Sequence, residues 1–528
     1  MFQGTLRPFQ EEVVTRMVED KKVLVALDLG LGKTPCSIAA VERLIEAGEI
    51  GAGLVIVPAS LKYQWAAQIA KFTNGASVLV VDGDRKQRIR QYGRIKEGQV
   101  EYAVLNYEQV VNDWEVVRHL PRDFIICDEV QAIKAPAAQR TRRLRKLQAH
   151  YKWGLTGQPV ENRAEEVFHI MKWIDPDVLG PESVFDTTFI VRDGWGKVRR
   201  YRNLPLLHKA LSRAMVRRSL KDPEIAVQMP KVVEESIIIP FDRAGGHLYN
   251  LISAELEAAL SSVPTNVGWN LADHYEGRNS ASAEMGEIMS RLTCLRMLCD
   301  HPELLRISSR LRQGIPTQED NMYGSTATGS AYAAELDVRG LLDPLKTSPK
   351  LAATIDLVKE ILEADEANKI VLFSFFKGSL ALLEKALGPL TGCVLFHGDI
   401  TPREREANKQ RFLVDPKCRV FLSSDAGGVG VDLPVGNYLI SLDLPWSAGA
   451  WRQRNGRIIR LSSEWEHVTV ISMLMAGSIE ERQYEALQQK QRIADAITDG
   501  VGSDKKGDLQ LDLATLTEYL RTSSIKIA

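Results

Sequence analysis

Val23-Leu24-Val25-Ala26-Leu27, followed by Asp28-Leu29-Gly30-Leu31-Gly32-Lys33-Thr34, decides how the chain is read. The first five residues form an apolar run of strand length, and Pro35 to Glu46 then carries helical spacing. Gly30 and Gly32 let the intervening turn curl its N–H groups toward phosphate oxygens at a helix start. Lys33 would reach the β/γ-phosphates and the Thr34 hydroxyl would hold Mg²⁺. The strict Gly-x4-Gly-Lys-Thr pattern fails at its first position, which is Leu27.

Outward from this turn, strand-sized runs alternate with helical patterns. Leu54 to Val57, Val78 to Val81, Tyr102 to Leu105 and Phe124 to Cys127 read as strands, and Ser60 to Phe72 as a helix. A second series has strands at Lys369 to Phe373, Cys393 to Phe396, Val420 to Ser423, Tyr438 to Leu442 and Val468 to Leu474. Such βαβ alternation predicts two parallel α/β sheets with helices on both faces. Between them lies a more helical region, with Gln313 to Pro349 reading as loop and a hinge near Thr347-Ser348-Pro349. The expected division is 1–232 (with a helical segment over 163–230), 233–345 as helical protrusion and linker, 346–477 as second lobe and 478–528 as helical tail.

The chain has 528 residues, enough for roughly three or four domains at about 150 residues each. With 67 Lys plus Arg against 68 Asp plus Glu, its net charge of −1 excludes a uniformly basic protein but not local basic patches. No run of about 18 apolar residues exists, so no membrane span is expected, and the N-terminus has no secretion-signal pattern. Six cysteines without a Cys-x-x-Cys pair give no zinc spacing and fit small core residues in a reducing cytosol.

Ile125-Ile126-Cys127-Asp128-Glu129-Val130-Gln131 is an apolar strand ending in two carboxylates. After a phosphate loop, Asp128 suits Mg²⁺ and Glu129 suits deprotonation of an attacking water. Trp153-Gly154-Leu155-Thr156-Gly157-Gln158-Pro159 follows, a small polar strand end able to sense a γ-phosphate. The order Leu-Arg-Pro-Phe-Gln (6–10), Gly-Leu-Gly-Lys-Thr (30–34), Val-Pro-Ala-Ser-Leu (57–61), Asp-Glu (128–129) and Leu-Thr-Gly-Gln-Pro (155–159) resembles helicase superfamily two. Leu155 to Asn162 resembles, more narrowly, the Swi/Snf-type translocase ATPases. The resemblance implies that Gln10 contacts adenine. It also marks two departures, Gln131 where the family usually has His and Gln158 where it has Thr. Met215 to Lys221 and Leu295 to Pro302 resemble further family segments; Cys299 and His301 within the latter are expected to pack rather than bind metal.

A motor needs cationic groups from its second lobe. Gln453-Arg454-Asn455-Gly456-Arg457-Ile458-Ile459-Arg460 offers Gln453, Arg457 and Arg460, the two arginines one helical turn apart and suited to charge spreading onto the γ-phosphate. Ser423 to Leu433 resembles the family's glycine-rich stretch, implying ligand contact at Gly430 and at Asp432, which replaces Asn.

Arg85 to Lys96 holds six basic residues and Lys134 to Lys152 seven, neither with an acid; such runs suit phosphate contact or a solvated face. The resemblance instead implies strand contacts at Ser60, Lys62, Asn106, Ser374, Lys377, His397, Ser423 and Ser424. It implies two RecA-like lobes that use ATP and Mg²⁺ in the cleft between them to move a monomer along double-stranded DNA, forked or branched DNA remaining open. A helicase that unwinds forks, an RNA-directed motor and an ATP-switched clamp with little turnover are the alternatives. The bare motor length suggests a bacterial or phage-infected cell, in the cytoplasm at the nucleoid.

Overall fold

The apolar runs become strands because residues such as Val23–Leu27 and Leu54–Val57 are buried throughout their length, as a sheet covered on both faces requires. The computed structural model describes residues 1–194, 196, 198–261, 283–317, 329–425 and 431–500. They fall into two units: Met1–Gln228 with the chain from Lys490 onward, and Met229–Gln489.

In the first unit the strands are β1 (Lys22–Leu27), β2 (Gly53–Val57), β3 (Val78–Val80), β4 (Tyr102–Asn106), β5 (Phe124–Cys127), β6 (Tyr151–Thr156), the hairpin β7 (Ile190–Arg192) and β8 (Val198–Tyr201), and β9 (Met215–Arg218). The hairpin stands apart, and the others form one parallel sheet in the order β3-β4-β2-β5-β6-β1-β9. Register pairs Ala26 with Thr156 and Cys127 with Gly154. The turns after β5, β6 and β1 are therefore side by side, at the carboxyl edge where open α/β sheets bind ligands.

The second unit has β10 (Lys231–Ile239), β11 (Ile370–Phe373), β12 (Gly392–Phe396), β13 (Cys418–Ser423), β14 (Tyr438–Ser441) and β15 (His467–Met475), all parallel, in the order β10-β15-β14-β11-β13-β12. Alternation splits its core. Ile370 and Leu372 face one side, Val371 and Phe373 the other. The first side is shared with Leu248, Ile252, Leu256, Leu292 and Leu295 of the inserted helices, so that insertion packs as part of this unit. Each unit has the parallel sheet expected of a RecA-like lobe.

Several expectations change. The start of the helical region at 233 falls inside β10, an exposed edge strand whose Glu234 and Glu235 break the apolar pattern. The region read as loop contains a helix, Ala331–Val338, capped by the Ser330 hydroxyl. Thr347-Ser348-Pro349, expected as a hinge, is tied to its surroundings. The Thr347 hydroxyl donates to Asp242, Ser348 Oγ donates to the Asp300 carbonyl at 2.6 Å, and Pro349 starts the helix Pro349–Ala364. The tail is helical over Ile479–Thr498; residues 501–528 lie outside the described residues.

Candidate functional site

The turn after β1 has the shape its glycines predict. Gly30 and Gly32 adopt φ of +83° and +84°, a region only glycine enters without cost. The helix Lys33–Glu46 starts directly after, with Thr34 in its first turn. A Cβ on Gly32 would lie 2.3 Å from Gln10 Nε2. Gln10 is seated against this turn: its Nε2 donates to the Leu31 carbonyl at 3.0 Å, and its Oε1 accepts from Arg7 N at 2.9 Å. Lys33 Nζ donates to the Leu27 carbonyl at 3.1 Å. Positive φ at two glycines before a 14-residue helix makes a cradle of N–H groups that fits a triphosphate.

Beside it, after β5, Asp128 is buried. Its Oδ2 accepts from Trp65 Nε1 at 2.8 Å and its Oδ1 from Glu129 N at 2.9 Å. Burial raises its pKa, opposed by the Trp65 hydrogen bond and the Lys33 charge. Each oxygen retains a lone pair, so the carboxylate fits Mg²⁺ held through water. Glu129 has φ of +48°, uncommon for a non-glycine residue. Its Oε2 accepts from Gln131 Nε2 at 2.5 Å, and Gln131 Oε1 accepts from the Thr156 hydroxyl at 2.9 Å. The Thr156 Oγ1 in turn accepts from Gln158 N at 3.0 Å. Both departures noted in the sequence, Gln131 and Gln158, thus lie on one hydrogen-bonded path from Glu129 to the end of β6. The Gln158 side-chain amide is buried with no hydrogen-bond partner among the described residues.

Three contributors were given no role at this site from sequence. Trp65 and Tyr107 grip Asp128, the latter donating its hydroxyl to the Asp128 carbonyl at 2.7 Å. Arg217 donates to Asp28 Oδ1 at 2.7 Å and to Asp499 Oδ1 at 2.6 Å, fixing the first residue of the phosphate turn. A buried indole and phenol, each carrying a hydrogen that must be satisfied, are the signal that could have found the first two.

In the second unit the arginines sit differently from the expectation. The helix ends at Asn455, and Gly456 caps it, so Arg457 and Arg460 occupy the following turns rather than one helical face. Arg457 Nη1 donates to the Val431 carbonyl at 3.1 Å, and Arg460 Nη2 lies 2.5 Å from Asp432 Oδ1. Gln453 is half-buried on the last turn of the helix. Gly430 lies outside the described residues.

The residues expected at DNA follow strand ends in both sheets, but two are spent internally. Lys62 Nζ is buried, donating to the Val81 carbonyl at 2.9 Å and to Asp82 at 3.0 Å. Ser374 is fully buried and donates to Asp443 Oδ2 at 2.6 Å. Ser60 is exposed, and Asn106 Oδ1 caps a helix from Gln109 N at 2.7 Å. Lys377 pairs with Asp399 at 2.5 Å. His397 is half-buried and burial lowers its pKa, while Ser423 and Ser424 are buried at the end of β13. The basic runs are also partly internal, since Lys134 is buried against Glu161 and Lys152 Nζ donates to the Trp173 carbonyl at 2.7 Å. Cys299 is buried and His301 Nδ1 caps a helix from Glu303 N at 3.0 Å. Among the described residues no cluster of three metal-ligating side chains forms and no helix is long and apolar enough to cross a membrane.

Comparison with known proteins agrees with this geometry. The chain matches the SNF2-related domain over residues 9–304 and the helicase conserved C-terminal domain over residues 353–462. It is 25% identical over 503 residues to YwqA of Bacillus subtilis (strain 168), covering 94% of this chain and 49% of that protein. It is 24% identical over 521 residues to the DNA repair and recombination protein RAD54B of Mus musculus, covering 94% of this chain and 56% of that one. The chain thus spans about half the length of these relatives. Among solved structures it is similar in fold to the Pyrococcus furiosus Hef helicase domain, with TM-score 0.50, 16% identity, and coverage of 92% of this chain and 98% of that one.

Proposed function

Since the chain belongs to the SNF2-related family, we propose that it is a DNA-stimulated ATPase that moves along double-stranded DNA. The observation that carries the reading is the path Glu129–Gln131–Thr156 beside the glycine cradle at Lys33, which sets a general base next to a phosphate-binding turn. Lys33 neutralises the β/γ-phosphates, and Thr34 and Asp128 hold Mg²⁺, which supplies charge neutralisation at the phosphate oxygens when bound. Glu129 takes the proton of the attacking water, held in place by Gln131. Arg457 and Arg460 stabilise the charge that spreads onto the departing phosphoryl group, with Gln453 beside them. The exposed Ser60, with the strand-end residues Lys62, Asn106, Ser374, Lys377, His397, Ser423 and Ser424, tracks the sugar-phosphate backbone without reading bases. The DNA repair relative named above supports DNA as the partner.

Hydrolysis measured at one salt concentration without nucleic acid and with linear duplex, single strand, fork and RNA tests the reading. Strong stimulation by plain duplex is expected, with displacement of a bound third strand in a follow-up assay. Stimulation confined to fork or single strand replaces translocation by unwinding, and no hydrolysis with any of them overturns the motor. Glu129→Gln must abolish turnover while ATP still binds.

A further inference from the structure

Two carboxylate–guanidinium pairs, Asp425–Arg454 and Asp432–Arg460, bind the arginine segment 454–460, and they differ in kind. Arg454 is fully occupied. Its Nε and Nη2 donate to the two Asp425 oxygens at 2.9 and 2.6 Å, and Nη1 donates to the Asp443 carbonyl. Its side chain is completely buried, and a bidentate pair of that sort is a fixed fastener. Arg460 is underused. Its side chain is 7% exposed, its Nη2 meets Asp432 at 2.5 Å, and its Nε is buried with no hydrogen-bond partner among the described residues. The Asp432 carboxylate is 59% exposed, so water and salt reach that half of the pair. Burial lowers the Arg460 pKa, and the Asp432 charge opposes that shift. A buried guanidinium with an unspent N–H beside a solvent-exposed counter-ion has capacity for a second, more highly charged acceptor.

We infer that Asp432 is a counter-ion latch on Arg460, a positioning residue that holds the guanidinium until a polyphosphate displaces the carboxylate. The identity of that polyphosphate as ATP rests on the function proposed above; the latch itself does not. Asp425–Arg454 keeps the arginine segment fastened while Arg460 changes partner, so release costs one ion pair and not the local fold.

Phenylglyoxal labelling of the full chain, read residue by residue by peptide mass spectrometry, tests the latch without needing turnover. Asp432→Asn keeps the size of the side chain and removes its charge. Arg460 is expected to react faster in the variant than in the parent, Arg454 equally slowly in both, and inorganic tripolyphosphate to protect Arg460 more strongly in the variant. Where ATP turns over, KM for ATP is expected to fall about two- to fivefold, the range of a partly exposed ion pair. The gap should narrow as salt rises and vanish in an Arg460→Ala background. Equal Arg460 labelling in the two chains, or faster labelling of Arg454 in step with Arg460, overturns the latch. A parent chain that hydrolyses no ATP under any condition overturns the function, while the labelling still decides the latch.

Discussion

Gln131 donates its amide to Glu129 Oε2 at 2.5 Å and accepts the Thr156 hydroxyl at 2.9 Å through the other end of the same group. One neutral side chain therefore ties the end of β5 to the end of β6. A hydrogen bond to a charged carboxylate contributes about 1.5–3 kcal/mol. Gln131→Ala should accordingly lower kcat by about tenfold to a hundredfold with little change in KM. Gln131→His should add a pH-dependent limb to kcat between about pH 5.5 and 7.5, because an imidazole titrates there and an amide does not. Steady-state kinetics across that range check both.

Gly32→Ala should abolish nucleotide binding while leaving both units folded. At φ of +84° an added Cβ is strained, and it would meet Gln10 Nε2 at 2.3 Å. The left-handed conformation alone costs about 1–2 kcal/mol. Displacing Gln10 also breaks its bond to the Leu31 carbonyl, which shapes the turn. Fluorescent-nucleotide titration alongside circular dichroism separates loss of binding from loss of fold.

Lys350 is fully buried between Asp300, at 3.1 Å, and Glu480, at 2.6 Å. It thereby joins the inserted helices, the helix Pro349–Ala364 and the start of the helix Ile479–Thr498 inside the second unit. Lys350→Met leaves two carboxylates buried without their counter-ion, and breaking such a pair costs about 3–5 kcal/mol. Calorimetry should show a lowered Tm for this variant. Replacing all three residues by apolar ones of similar size should recover much of the loss, because no buried charge is then left unpaired.

Acid should destabilise the protein through two buried histidines. His169 and His301 are both lowered to about 4, chiefly by burial. An unfolded chain takes up those protons near pH 6.5. Between about pH 6.5 and 4 the unfolded state therefore binds more protons, and stability falls as pH falls. His301→Asn keeps an acceptor for Glu303 N at the helix start but removes the titration. Its melting temperature should fall less steeply than the parent's between pH 6.5 and 5.

What the sequence determined by itself is what short stretches encode. Apolar runs bounded by turns placed most of the parallel strands, though not β9 or β10, and the glycines at 30 and 32 announced the cradle, because strand burial and left-handed backbone depend on residues within a few positions of one another. The apolar strand ending in Asp128 and Glu129 was likewise legible as a local pattern. Only the tertiary structure decided the rest. Edge strand β10, with most of its length exposed, lacks the apolar continuity that marks a central strand. Trp65 reaching Asp128 and Asp432 facing Arg460 are partnerships across 63 and 28 positions, and no local period records them. Lys62 meeting Asp82 and Ser374 meeting Asp443 are likewise partnerships between residues that no local pattern pairs. A side chain's type sets what it can bind. Which partner it meets is set by the register of strands far apart in the chain, and by the cost of leaving a buried polar group unpaired.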